Sequence, residues 1–242
     1  MISKNDIKFI RSLSQKKFRD ENGLFIAEGE KIVNEAISSR FEIAGIYKTS
    51  EIGEDNMSRI SQLNTPSPIL AVIRKPDSIT KDEINSLISR KPLSLALDGL
   101  RDPGNVGTII RLADWFGIDA IFASKDTVEI FNPKVVQATM GAIFRIKFIY
   151  CDLNDIISSF TLAKIPIYGT FLDGDSIYST DLSSSGLIVM GSESNGISNE
   201  VASMITQRLF IPPYPADAHT SESLNVAIAT SIVCSEFRRR NY

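Results

Sequence analysis

The sequence predicts an α/β protein with a mostly parallel sheet, preceded by a smaller α/β domain. Three observations carry this reading. From Leu93 onward, short apolar runs alternate with helical stretches or polar connectors, the pattern of a parallel sheet covered on both faces. Before Ser89-Arg90-Lys91-Pro92 lies a separate set of helices and strands, and a proline after a helical stretch disfavours its continuation. At 242 residues, with 43% hydrophobic and 23% charged, the chain can bury one large core or two smaller ones. The expected domains are therefore residues 1–90 and 91–242.

In the first domain, Lys4–Leu13 and Glu28–Ser39 read as helices, Ile43–Thr49 and Leu70–Ile73 as strands, and Lys81–Ser89 as a helix. In the second, the strands are Leu93–Leu97, Ala120–Ala123, Arg145–Tyr150, Ile165–Thr170, Leu187–Met190 and Arg208–Ile211. A helix opening at Asn105 repeats Val106, Ile109, Ile110, Ala113 and Phe116 at helical spacing, which makes that stripe the buried face. The last helix, about Ser223 to Arg240, is apolar on most faces and must be deeply packed. No internal repeat or low-complexity segment interrupts the pattern.

Composition narrows the function classes. No apolar run approaches a membrane span, and the first residues lack a signal-peptide core, which gives a cytoplasmic protein with no membrane partner as the expectation. Cys151, Cys234 and the single histidine, His219, stand in no metal-ligand spacing, so no metal is expected. A net charge of −3 opposes nucleic-acid binding through bulk charge, so any such site is a local patch. Two patches qualify: Lys4, Lys8, Arg11, Lys16, Lys17 and Arg19 near the start, and Arg238-Arg239-Arg240 near the end. Solvated helix faces explain both equally well.

Three stretches carry the chemistry. They are Leu97-Asp98-Gly99-Leu100-Arg101-Asp102-Pro103-Gly104-Asn105-Val106-Gly107-Thr108-Ile109-Ile110-Arg111, then Gly191-Ser192-Glu193-Ser194-Asn195-Gly196, then Ser223-Leu224-Asn225. Each falls at or after the carboxyl end of an expected strand, where open α/β sheets bind ligands. Helical side chains lean toward the N-terminus, so Arg111 should reach back over Gly107 toward the loop Arg101–Asn105. The helix dipole and free N–H groups there also favour an anion. A surface arginine in a salt bridge is the plain alternative. Turn formation alone likewise explains Gly191 and Gly196, and helix capping explains Ser223 and Asn225.

In order and spacing these stretches resemble the three signature motifs of the SpoU/TrmH family of S-adenosylmethionine-dependent RNA ribose 2′-O-methyltransferases, within the SPOUT superfamily, over roughly residues 93–240. Phe25-Ile26-Ala27-Glu28-Gly29-Glu30-Lys31-Ile32-Val33 resembles the start of the L30e-like RNA substrate-binding domain that precedes many such catalytic domains. The resemblance implies S-adenosyl-L-methionine as cofactor, a C-terminal trefoil knot and a homodimer. It assigns Asn105, Arg111, Glu193, Ser223 and Asn225 to the catalytic group, and Thr170, Leu172, Gly191, Ile211 and Leu224 to the cofactor. It also implies an RNA substrate, with ribosomal RNA favoured over tRNA. The chain departs from the pattern in its long, proline-rich stretch from Ile211 to Glu222, where family members usually carry Ile-Pro-Met and a short glycine loop. There His219 as a base and Tyr214 as a stacking platform stand beside plain solvated side chains.

Two other readings compete. One is a knotted RNA-binding protein without catalysis, against which the complete set Asn105, Arg111, Glu193, Ser223 and Asn225 argues. The other is a dinucleotide-dependent enzyme, but the stretch around Gly104-Asn105-Val106-Gly107 lacks the full glycine fingerprint and its ribose-binding acid.

Overall fold

The computed structural model describes residues 2–215 and 223–240. In chain order its elements begin with α1 (Lys4–Ser12), α2 (Lys16–Asn22), β1 (Leu24–Glu28), α3 (Glu30–Ile37), β2 (Ile43–Lys48), α4 (Thr49–Ile52), α5 (Glu54–Ile60) and β3 (Ile69–Arg74). They continue with α6 (Lys81–Ser89), β4 (Leu93–Asp98), α7 (Pro103–Trp115), β5 (Ile121–Ala123), α8 (Pro133–Thr139), β6 (Phe148–Tyr150) and α9 (Leu153–Leu162). The last are β7 (Ile167–Ser176), β8 (Gly186–Gly191), α10 (Asn199–Ser203), β9 (Gln207–Phe210) and α11 (Val226–Arg239).

The chain forms two compact units. One takes the chain up to Asp77 together with Glu129–Arg145; the other takes Ser78–Val128 and the chain from Ile146 onward. This differs in two places from the division expected near residue 90. Leu87 and Ile88 of α6 are buried in the core of the second unit, beside Ala96, Phe122 and Ile157, which draws α6 there. Glu129–Arg145 returns to the first unit because Phe131 and Phe144 stack against Phe25, at 4.6 and 6.4 Å between ring centroids. Glu129 also pairs with Arg19, a buried arginine that donates to the carbonyls of Leu13 and Ser14 at 2.9 and 2.8 Å.

The first unit holds an antiparallel sheet in the order β1-β3-β2. Residues 24–28, which the periodicity leaves unassigned or helical, form β1, and α3 starts only at Glu30. Among the N-terminal cations, Lys16 and Lys17 pair with Asp20 and Glu21 while Arg19 is buried. Lys4, Lys8 and Arg11 stay exposed on one side of α1, with no ion pair among the described residues.

The second unit holds a six-stranded sheet in the order β6-β5-β4-β8-β7-β9, every pair parallel. Its strands are buried apolar runs because helices cover both faces. In α7, Val106, Gly107, Ile109, Ile110 and Ala113 are buried, as the spacing predicts for the apolar four, while Phe116 is half-buried. Asp102 caps this helix through its bond to the Asn105 N–H, and Pro103 opens it. Helix α11 packs along α7 and against β8.

The C-terminal arginines are spent on structure rather than left as a surface patch. Arg238 donates to the carbonyls of Phe116 and Gly117 at the end of α7. Arg240 donates to the carbonyls of Ile177, Tyr178 and Thr180, and Arg239 pairs with Glu236. These carbonyls lack helical or strand partners, and a guanidinium supplies donors in the required fork.

Candidate active site

Strands β4 and β8 are neighbours in register, Asp98 opposite Gly191, so the first two motifs leave the sheet side by side. The Asp98 carboxylate accepts from the Ser198 N–H at 2.7 Å and ties the two exits together. Gly99 has φ +69°, and its N–H donates to Ser124 Oγ at 2.9 Å, so the first loop is braced from β5.

The second motif closes on itself. The N–H groups of Ser192 and Gly196 each donate to the other's carbonyl at 2.9 Å. A Cβ at Gly191 would overlap the backbone of Gly196 and Ile197, and Gly196 has φ +66°. Both glycines are thus required by the turn, which presents Glu193 to solvent.

The third motif supplies a directional hydrogen-bond chain. Asn225 Oδ1 accepts from the N–H groups of Ala227 and Ile228 at 2.9 and 3.2 Å, so Asn225 is the N-cap of α11. That cap fixes the amide's orientation and leaves its Nδ2 to donate to Asn105 Oδ1 at 2.9 Å. Asn105, turned by this bond, donates from Nδ2 to Glu193 Oε1 at 2.6 Å. The polarity of the whole chain is therefore set by a helix terminus, and it ends on a carboxyl oxygen that accepts.

Of the expected catalytic residues, the structure joins Asn105, Glu193 and Asn225 by hydrogen bonds. Arg111 stands on the same helix as Asn105, six residues or about 9 Å farther along its axis. It is exposed and makes no hydrogen bond or ion pair with a described residue. Gly107, expected to leave Arg111 an open path, is buried. Ser223 is exposed, two residues ahead of the cap. His219 lies outside the described residues, and Tyr214 is 96% exposed.

The residues expected at a cofactor also fall in one region of the sheet. Gly191 ends β8 and Ile211 follows β9, while Thr170 lies within the neighbouring β7, one residue past its last pairing with β8, and its Oγ1 is 3.5 Å from the Val189 carbonyl. Leu172 and Leu224 are 69% and 48% exposed. Backbone groups at strand ends with bare apolar side chains fit a ligand that has a flat heteroaromatic part and needs few side-chain contacts. Leu172 is presented by a device that sequence reading missed. Residues 171–174 loop out between two stretches of β7–β9 pairing. Arg208 grips this loop, its guanidinium 3.4 Å from the Phe171 ring centroid and paired with Asp173. Burial pushes the thiols of Cys151 and Cys234 up to about 12, which removes both as nucleophiles.

A fully parallel sheet with a braced polar cluster at its strand ends defines an α/β protein of the open-sheet class, in which ligands bind at the carboxyl ends of the strands. The chain belongs to the SpoU rRNA Methylase family, whose model matches residues 92–235, and an MRM3-like substrate binding domain matches residues 4–62. It is similar to a protein of Porphyromonas gingivalis assigned to the TrmH family of RNA methyltransferases, at 39% identity over 99% of each chain and a TM-score of 0.86. It is also similar to the AdoMet-bound rRNA methyltransferase of Sinorhizobium meliloti, at 30% identity over 100% of this chain and 97% of that one, with a TM-score of 0.87. A curated relative, the 23S rRNA guanosine 2′-O-methyltransferase RlmP of Bacillus subtilis, is 29% identical over 96% of this chain and 95% of its own.

Proposed function

We propose that this chain transfers a methyl group from S-adenosylmethionine to a ribose 2′-hydroxyl of ribosomal RNA. The observation that carries the proposal is the chain Asn225–Asn105–Glu193, which locks residues of all three motifs into one cluster, with Arg111, which pairs with no described residue, on the same helix as Asn105. Ribosomal RNA is preferred to tRNA because a curated relative of matching length, and a second at 32% identity, are named for 23S rRNA.

The bound cofactor supplies an electrophilic methyl on a positively charged sulfur. The protein's task is to present a hydroxyl that is a poor nucleophile near neutral pH. Among the described residues none engages the five donors of Arg111, enough to hold the 2′-hydroxyl and an adjacent phosphate together. Arginine stays protonated in proteins, so its part is to lower the hydroxyl's pKa and stabilise the developing oxyanion; the hydroxyl proton passes to solvent water as the methyl leaves the sulfonium and neutral S-adenosylhomocysteine departs. Asn105 has one Nδ2 hydrogen left after its bond to Glu193, and that hydrogen orients the reacting group. The backbone at Thr170, Gly191 and Ile211, with Leu172 and Leu224, holds the cofactor, and Ser223 borders it.

The family resemblance adds a trefoil knot and a second copy of the chain to this reading. The one tryptophan, Trp115, is 84% exposed at the end of α7, and Ile228 is exposed on α11. Large apolar groups left bare on two packed helices suit a homodimer contact.

Arg111 variants test the proposal. Arg111→Ala and Arg111→Lys should both lose methyl transfer by about 100-fold or more while calorimetry shows unchanged S-adenosylmethionine affinity. A lysine variant near the wild-type rate would remove the two-pronged grip from the mechanism.

A further inference from the structure

A cavity of about 390 Å³ lies within the first unit, bounded by the end of β1, the turn after α5 and helix α8. Leu63, Pro133 and Val136 give it apolar walls, and Asn64, Lys134 and Gln137 line it with polar groups. Glu28 braces one side. The residue is 4% exposed, and its carboxylate accepts from the Gln62 N–H at 2.6 Å and from Ser61 Oγ at 2.7 Å, and Ser61 Oγ in turn accepts from the Leu63 N–H at 3.1 Å. The turn that carries Leu63 and Asn64 is thus fixed by a buried acid. By contrast, the side chains of Asn64, Lys134 and Gln137 bond to no described residue.

A braced cavity with apolar walls and unsatisfied amides suits a ligand that is flat, apolar on its faces and polar on its edge. We propose that this cavity takes one unpaired nucleobase of the RNA substrate, with Lys134 on the flanking phosphate. The volume is that of a small-molecule site, enough for one base and its sugar. Each free amide offers a donor and an acceptor side by side, the complement of a base edge. RNA is read in this way where bases are splayed out of the helix. Charge supports a polyanion here: the first unit carries 14 Lys and Arg against 12 Asp and Glu, while the second carries 12 against 17. The site rests on the reading of the chain as an RNA methyltransferase. Its test reads RNA binding rather than transfer, so either can fail without the other.

The experiment uses the full chain and two fluorescent probes, a mixed-sequence 20-nucleotide single-stranded RNA and the same sequence as a duplex, with nucleoside monophosphates as competitors. Three variants are compared: Ala138→Phe, which fills the cavity, the double variant Asn64→Ala with Gln137→Ala, and Lys134→Gln. The first two should weaken single-strand binding about tenfold, leaving duplex binding, melting temperature and S-adenosylmethionine affinity unchanged. Lys134→Gln should reduce the slope of log K against log salt by about 0.7. Monophosphates that compete only in the wild type would place the base itself in the cavity. Wild-type single-strand affinity in the amide-free double variant overturns the proposal, as does equal loss on both probes. Should Ala138→Phe fail to fold, the double variant still decides, because its side chains bond to no described residue.

Discussion

Asn225 does two jobs that substitution can separate. In Asn225→Ala, α11 loses its cap, which costs about 1 kcal/mol, and Asn105 loses a hydrogen bond worth about 1 kcal/mol more. For a chain of this size about 2 kcal/mol corresponds to a melting-temperature drop of about 4–8 °C. Asn225→Asp behaves differently. The new carboxylate keeps the oxygen that caps Ala227 and Ile228, and its charge suits a helix N-terminus. It has no N–H for Asn105 Oδ1, however. If Asn105 turns to donate to it, Asn105 Oδ1 then faces the Glu193 carboxylate, so one end of the chain is unsatisfied in either orientation. The melting temperature should therefore stay within about 3 °C of wild type, while single-turnover methyl transfer falls about 10- to 100-fold. Calorimetric unfolding and rapid-quench transfer measure the two effects. An aspartate variant that melts as early as the alanine variant, or that transfers at the wild-type rate, would refute the fixed polarity of the chain.

Other consequences follow from the same geometry. Arg240→Met leaves the carbonyls of Ile177, Tyr178 and Thr180 without their donors and should lower stability by about 2 kcal/mol in urea unfolding, with RNA affinity unchanged; a loss confined to RNA affinity would restore the surface-patch reading. The Arg239 and Arg240 guanidinia hold the Glu236 carboxyl at about 2 instead of its ordinary 4.5. Because the folded value is the lower one, this contribution is complete above the unfolded pKa and fades as pH falls toward 2. Melting curves of Glu236→Gln should therefore differ most from wild type near neutral pH and converge with it in acid, and a constant difference across pH would argue against the ion pairs. Gly191→Ala puts a methyl into the Gly196 backbone, displaces Glu193 and should reduce transfer at least tenfold; an unaltered rate would show that the turn can shift without moving the site.

Much of the second unit was legible because its strands and helices announce themselves locally. All six sheet strands lie where apolar runs stand between polar connectors, and the α7 stripe follows from its spacing. The motif residues could be placed at strand ends for the same reason. What escaped the sequence depends on distant partners. The pairing of Asn105 with Asn225 spans 120 positions, and nothing local says that the cap of one helix orients the first residues of another. The return of Glu129–Arg145 to the first unit rests on Phe131 and Phe144 meeting Phe25. β1 was masked because its short apolar run passes directly into the helix-forming residues of α3. The terminal arginines looked like a patch because sequence shows charge and not the carbonyls to which it is turned.

The central claim, ribose methylation of ribosomal RNA through Arg111, is tested most directly by incubating the protein and its Arg111→Ala variant with labelled S-adenosylmethionine and RNA from a strain lacking it, then resolving the nucleosides. A labelled 2′-O-methylnucleoside in ribosomal RNA, formed by the wild type and absent with the variant, is the predicted result. Label on a base, label in tRNA alone, or equal labelling by both proteins would contradict it.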